Sequence, residues 1–391
     1  MQNGSLGFLR NENKRKVLQR IIDEEPTTRV QISKDLSMSK PTVSSLVGEL
    51  IEEGWIIETG SGEASSSGGR KPVKLRFNAK NAYCIGIDVG GTGVVLGITD
   101  LQGELVNLKE FETQKNLGEK LLVEIKTQVD VMLSESGIDK QDILGVGVGV
   151  PGITNLETGI VIEAPTLKWS NYPAKKKIEE ILSMPVFIDN DVNVSLLGEK
   201  WLGKGRHASN MIYISIGTGI GSGIMLQGNI YRGSNYSAGE IGYMVTDRQF
   251  ASLYKPTVKG YGFLESVSGG NSIGEHLSNR LEREVTSSDA FELYRKGNAD
   301  AIEVVTAAIE NLSIGIANYV SLFDPEIVIL GGGVTQSFDV IQPMINDILN
   351  RYTPRSCEIV QSAFGKKAGV IGAVALVLNE HGGLFTTKRK G

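Results

Sequence analysis

Residues 84–100 read CIGIDVGGTGVVLGITD, an apolar strand, a glycine-rich turn and a second strand, with Asp88 leaving the first. Backbone amides in such a turn can cradle phosphate, and the aspartate can hold Mg²⁺ directly or through water. Hairpin glycines are common, so this stretch alone equally suits a structural turn. The pattern recurs. ISIGTGIGSGI at 214–224 is again strand, turn and strand, and ILGGGV at 329–334 grows out of the apolar strand EIVIL. Three glycine-rich turns, each fed by an apolar strand, predict an α/β body of two lobes with a nucleotide or other ligand in the cleft.

The polar residues between these turns are the candidates for holding a ligand. VFIDNDVNVSLLGE at 186–199 carries Asn190, Asp191, Asn193 and Glu199 just after a strand. Asn and Asp at a strand's end offer donors and acceptors to vicinal hydroxyls, and Asp191 is placed to act as general base toward a hydroxyl. SAGEIGYM at 237–244 adds Glu240 and Tyr243, and FLESVSGG at 263–270 adds Glu265. Several carboxylates in glycine-rich surroundings suit a neutral polyhydroxylated ligand better than an anion. Taken singly, each also reads as a helix cap or a solvated charge.

The chain has 391 residues, enough for two or three domains, and with 40% hydrophobic and 22% charged residues it is not a disordered composition. Two cysteines, Cys84 and Cys357, leave no disulfide framework and no cysteine-rich metal site. No apolar run has the length of a membrane span and the N-terminus lacks a signal-peptide core, so a cytoplasmic protein without membrane contact is expected. The net charge of −5 hides an asymmetry: residues 1–80 hold 13 Lys+Arg against 10 Asp+Glu, so the remainder carries a net −8. An acidic body repels nucleic acid, and any DNA contact falls to the N-terminal piece.

Within that piece, KRKVLQRIID (14–23) puts Val17, Leu18, Ile21 and Ile22 on one helical face. Val30, Ile32 and Leu36 suggest a short second helix. Ser39 then reads as the N-cap of a third, with Pro41 in its first turn and Val43, Leu46, Val47 and Leu50 on its core side. Lys40, Thr42, Ser44 and Ser45 are left facing outward, small and polar enough to reach base edges as a helix-turn-helix requires. Two strands at 55–58 and 73–77 flank GSGEASSSGGRKP, a wing ending in Arg70 and Lys71, suited to a phosphate or the minor groove. A small helical protein-interaction module is the alternative.

Taken in order, the body motifs resemble the ROK family (repressors, open reading frames and kinases) of the sugar-kinase/actin-like fold. They are DVGGT at 88–92, GVGVPGITNLETGIVIEAPTLKW at 147–169, DNDVN at 189–193, GTGIGSG at 217–223, GEIG at 239–242 and ILGGGV at 329–334. The winged helix followed by SSSGGRKPVKLRFN is similar to the repressor branch, most of all to xylose repressors of Gram-positive bacteria. The resemblance implies a winged helix-turn-helix at 1–80 and an actin-like/sugar-kinase ATPase body. Its first lobe would span 81–190 with 368–384 returning to it, its second lobe 191–367, and 385–391 would be a disordered tail.

The same resemblance implies a sugar held by Pro151, Gly152, Asn190, Asp191, Glu240 and Glu265, with Asp191 in the position of the kinases' base. ATP phosphates would sit on Asp88, Gly90, Gly91, Thr92, Gly217, Thr218, Gly219 and Gly221, and adenosine by Gly331 and Gly332, with Mg²⁺ as companion. The chain departs from the family where a zinc-binding histidine is replaced by Tyr243 and the cysteine loop by LYKPTVKGYGFLE (253–265), so no zinc is expected. Residues 247–262 would instead be held by packing through Tyr254, Tyr261 and Phe263. The leading expectation is a sugar-responsive repressor, acting as a homodimer or dimer of dimers on double-stranded operator DNA. An ATP-dependent hexose kinase, or a regulator that binds ATP without turnover, is the alternative.

Overall fold

The structure, a computed structural model, describes residues 2–61, 73–248, 262–354 and 357–381. Three helices open the chain: α1 (Gln2–Asp23), α2 (Arg29–Asp35) and α3 (Lys40–Glu52). Ser39 caps α3 as its sequence predicts, extended at φ −63° with its hydroxyl accepting the Thr42 N–H. The strands β1 (Ile56–Ser61) and β2 (Val73–Phe77) pair antiparallel, with Ile56 opposite Phe77. The wing loop between them, with Arg70 and Lys71, lies outside the described residues. Two expectations change. Helix α1 begins at Gln2, well before the apolar pattern at Lys14, and Val17, Leu18 and Ile21 anchor its C-terminal half. Val30 is 45% exposed while Ile32 is fully buried, because helical residues two apart project to opposite sides. Ser39→Ala is expected to lower stability by about 1 kcal/mol, read as a shift in urea midpoint at unchanged slope.

The body is the same strand arrangement used twice. In the first sheet β3 (Tyr83–Val89), β4 (Gly93–Asp100), β5 (Leu105–Glu112), β6 (Ile143–Val150) and β10 (Val186–Asn190) lie in the order β10-β6-β3-β4-β5. In the second, β11 (Met211–Ile216), β12 (Ile220–Leu226), β13 (Asn229–Ile230), β14 (Ile327–Gly331) and β15 (Glu358–Gln361) lie in the order β13-β12-β11-β14-β15. Each half opens with an antiparallel hairpin and then adds parallel strands. The glycine turns at 90–92 and 217–219 therefore occupy equivalent hairpin positions. A small sheet of β7 (Ile153–Asn155), β8 (Ile160–Ala164) and β9 (Trp169–Tyr172) stands beside the first.

Helices α4 (Glu119–Ser136) and α5 (Ala174–Leu182) pack their apolar faces into the core of the first sheet. The core of the second is covered by α7 (Phe263–Ser268), α8 (Gly270–Leu281), α9 (Ser287–Arg295), α10 (Ala299–Phe323) and α11 (Phe338–Tyr352). Helices α6 (Asp191–Trp201) and α12 (Ala368–Glu380) cross each other in the middle of the body. Every residue of α12 from Ala368 to Leu378 is buried, as its apolar composition predicts. Among the described residues no helix is long and apolar enough to cross a membrane.

One apolar core runs from the winged helix into the body. It joins Val17, Ile21, Leu46 and Leu50 through Leu75 and Phe77 to Leu101, Trp201, Ile371 and Leu378. A polar tie runs alongside. The Glu25 carboxylate accepts the Phe77 N–H at 2.8 Å with one oxygen and the Gln102 side-chain amide at 2.9 Å with the other. The N-terminal winged helix and the body are thus packed into one unit rather than strung on a linker.

Candidate functional site

Asn190 ends β10 and caps α6, because a short amide at an extended position can satisfy the first helical N–H groups. Its Oδ1 accepts the Val192 and Asn193 N–H groups at 2.9 and 3.1 Å, and its Nδ2 donates to the Gly152 carbonyl at 3.0 Å. Gly152 sits at φ +89°, where an added Cβ would meet the Glu163 carbonyl at 2.1 Å, so the Pro151–Gly152 turn is fixed against β8. Asp191, the first residue of α6, accepts the Val192 N–H at 2.9 Å. Burial nonetheless pushes its carboxyl up to about 6.

Three more acids cluster here, Asp88 and Glu240 feeling the charge of Asp191 and Glu240 that of Glu265. Asp88 is pushed up to about 7 by burial and then by the charge of Asp191. Its carboxylate lies against Gly369, in the first turn of α12, where an added Cβ would be 2.1 Å from Cγ. Glu240 is pushed up to about 7 by burial, Asp191 and Glu265 in that order. Burial also raises Glu265, opposed by the Ile220 N–H that donates to its Oε2 at 2.9 Å. Four carboxyls that repel one another disfavour an anion, and those that are protonated can donate hydrogen bonds to hydroxyls.

The sign of the pH effect follows. Asp88 and Glu240 have folded values above the ordinary carboxylate range, so between about pH 4 and 7 the native chain holds protons that the unfolded chain has released. Stability falls as pH rises through that window. The thermal midpoint is expected to be lower at about pH 7.5 than at about pH 5, and Glu240→Gln to flatten the slope. A midpoint rising over the same interval excludes this account.

The glycine turns are tied from behind. Thr113 Oγ1 and the Gln114 amide donate to the Gly90 and Gly91 carbonyls at 2.7 and 2.8 Å, while the Thr92 carbonyl accepts the Thr113 N–H. The second turn is fixed to α8, with Gly217 and Thr218 carbonyls accepting the Gly270 and Asn271 N–H groups. An added Cβ at Gly219 would meet Glu265 Oε2 at 2.5 Å and one at Gly221 would meet Val192 at 2.9 Å, so this turn abuts the acid cluster itself. Gly331 is buried under Tyr213, whose Oη would be 1.9 Å from a Cβ there, and only Gly332 of the pair is exposed.

Other sequence candidates fall elsewhere. Glu199 is fully buried and accepts from Lys204 N–H, Ser362 Oγ and Ala363 N–H at 2.8, 2.6 and 2.8 Å. It joins the C-terminal end of α6 to the end of β15. Asn193 is buried, and among the described residues its Oδ1 has no partner. Tyr243, 56% exposed, lies on the surface next to Glu240. Tyr254 and Tyr261 lie outside the described residues, whereas Phe263 is buried. Among the described residues no three His, Cys, Asp or Glu side chains are grouped to hold a metal ion. On α3, Lys40, Thr42, Ser44 and Ser45 are all exposed, with the Thr42 hydroxyl 2.8 Å from that of Ser39. Sequence reasoning missed Arg232, whose ion pair with buried Asp189 stands directly behind Asn190. An arginine after a two-residue strand carries no local signal of such a partner.

Comparison with known proteins identifies the family. Residues 84–380 match the ROK family and residues 10–57 a winged helix-turn-helix DNA-binding family. The chain is 30% identical to the xylose repressor of Caldicellulosiruptor bescii over 96% of its own length and 98% of that protein. It is 34% identical to the glucokinase of Halalkalibacterium halodurans over 75% of its own length and 94% of that protein. The crystal structure of a ROK family transcriptional regulator, a homologue of the E. coli MLC protein, superposes with a TM-score of 0.81 at 25% identity, covering 96% of this chain and 98% of that one. With its body matched along nearly its whole length and a winged helix ahead of it, the chain belongs to the ROK family.

Proposed function

We propose that this protein is a sugar-responsive DNA-binding repressor of a carbohydrate-utilisation operon. The observation that carries the reading is the single apolar core joining α3, exposed at Lys40, Thr42, Ser44 and Ser45, to α6 and α12, the helices that begin at Asp191 and against Asp88 in the acid cluster. A neutral sugar contacting Asn190, Asp191, Glu240 and Glu265, with the Pro151–Gly152 turn beside it, alters lobe closure and through the shared core the pose of α3. A homodimer sets two such helices on a palindromic operator. The xylose-repressor relatives favour a pentose as effector. The switch requires that sugar bind the DNA-competent and DNA-incompetent states with different affinity, and the coupling is reciprocal.

The test is fluorescence anisotropy with labelled DNA from upstream of a sugar operon, at several salt concentrations, with and without D-xylose, D-glucose and N-acetylglucosamine. Salt-sensitive binding released by one sugar is expected. Ser44→Glu should weaken operator binding by about tenfold or more, since it sets a carboxylate against the phosphates and base edges. DNA binding indifferent to every sugar, or equal for Ser44→Glu and the parent, overturns the reading.

A second reading, an ATP-dependent hexose kinase, draws on the Asp191 carboxyl near about 6 beside Asp88, a base and a Mg²⁺ ligand in suitable chemistry. Tyr243 stands at 56% exposure where the kinases have their sugar-wall histidine, so the closed wall that aligns phosphoryl transfer is not made by this side chain. We therefore infer binding without efficient turnover. Sugar-dependent ATP consumption that disappears in Asp191→Ala is the result that reverses this preference.

A further inference from the structure

Between β13 and Glu240 stands a cation that no sugar-site motif contains. Arg232 reaches Asp189 Oδ2 with Nη2 at 2.5 Å and Nε at 3.2 Å. Asp189 is 1% exposed and belongs to β10 of the first sheet, whereas Arg232 follows β13 of the second. The pair therefore bridges the two sheets. Asp189 Oδ1 accepts the Asn190 N–H at 2.8 Å, and Asn190 in turn holds Gly152 and the first turn of α6 ahead of Asp191. On the other side the Arg232 carbonyl accepts the Ala238 N–H at 3.0 Å, closing the loop that leads to Glu240. The Gly239 carbonyl is fixed there by the N–H and hydroxyl of Ser222 at 3.1 and 2.6 Å.

We propose that Arg232 is the positioning residue of the sugar site: through Asp189 it holds Asn190 and Asp191, at the end of the first sheet, in register with Glu240 beside the second. The inference rests on the sugar-site reading above and adds to it a ligand gripped from the sides of both sheets at once. An arginine suits the task because its planar fork is fixed in orientation, where a lysine offers a point charge on a flexible stem. A purely electrostatic role, neutralising Asp189, is the competing explanation, since an unpaired buried carboxylate is costly whatever it positions.

Four full-length variants separate the two: Arg232→Met, Arg232→Lys, the double Asp189→Asn/Arg232→Met, and Arg295→Met as a control in an exposed ion pair with Asp339. Binding of D-xylose by calorimetry should weaken by about tenfold or more in Arg232→Met, the scale of misplacing a preorganised group. Arg232→Lys should recover part of it and Arg295→Met should not move. The double variant removes both charges, so it should regain thermal stability without regaining sugar affinity. A double variant that regains both shows neutralisation alone and overturns the proposal. Hydrogen exchange on the ligand-free chains gives a reading independent of any sugar. Amides of 190–194 and 239–244 should exchange faster together in Arg232→Met, and unchanged exchange in both segments also overturns it. If the parent binds no sugar, the sugar-site reading fails while the exchange result still decides the role of Arg232.

Discussion

Gly372→Ala is expected to cost more than about 4 kcal/mol, enough to leave most of the chain insoluble on expression. A Cβ at this position in α12 would lie 1.8 Å from the Val194 carbonyl oxygen of α6 and 2.4 Å from its carbon. The obstacle is backbone, so no rotamer change relieves it. Moving α12 away from α6 is blocked as well. On its other face the Ala373 carbonyl lies 1.8 Å from where a Cβ of Gly147 in β6 would stand, and the Val370 carbonyl 2.3 Å from that of Gly86 in β3. Helix α12 is therefore clamped between α6 and the first sheet at backbone contact on both faces. Gly48→Ala in α3 is the matched control: nothing lies within 4 Å of its Cβ, and the same change should stabilise by about 0.5–1 kcal/mol through helix propensity. Urea unfolding measures both. A Gly372→Ala chain within about 1 kcal/mol of the parent means that the α6–α12 crossing is looser than these distances state.

Legibility in the sequence tracked the range of the interaction. The Ser39 cap, the Val43–Leu46–Val47–Leu50 face and the outward set on α3 depend on neighbours within a few residues, and the structure has them as read. The glycine turns at 90–92 and 217–219 were legible as hairpins for the same reason. That the hairpins occupy equivalent places in two like-ordered sheets was not, because parallel pairings such as β3 with β6 join strands far apart in sequence. Glu199 looked like a site residue by its nearness to Asp191. Eight positions along a helix carry it to the far end of α6, where Ser362 and Ala363 claim it. Gly331 was credited to the ligand side, but the Tyr213 ring already fills the space next to it. Arg232 and Asp189 are 43 residues apart, and only the fold shows that one charge answers the other.

Deleting residues 1–80 is expected to destabilise what remains as well as abolish operator binding. Bodies without a reader exist in the family, as the glucokinase relative shows, so the cut itself is compatible with the fold. In this chain, however, the cut removes Val17, Ile21, Leu50, Leu75 and Phe77 from a core they share with Leu101, Trp201, Ile371, Val374 and Leu378. It also takes Glu25 from Gln102. Re-exposing even two or three such side chains costs about 1.5–3 kcal/mol each, which at about 2–4 °C per kcal/mol lowers the thermal midpoint by about 10 °C or more. Scanning calorimetry of residues 81–391 beside the full chain measures it. Two coincident midpoints, or operator binding retained by the fragment, contradict a shared core or the reader assignment respectively. A single cooperative transition in the full chain is the companion expectation, because a reader built into the core of α6 and α12 has no boundary at which to melt alone. Substitutions at Trp201, at the C-terminal end of α6 and inside the shared core, should then shift the stability of both domains together.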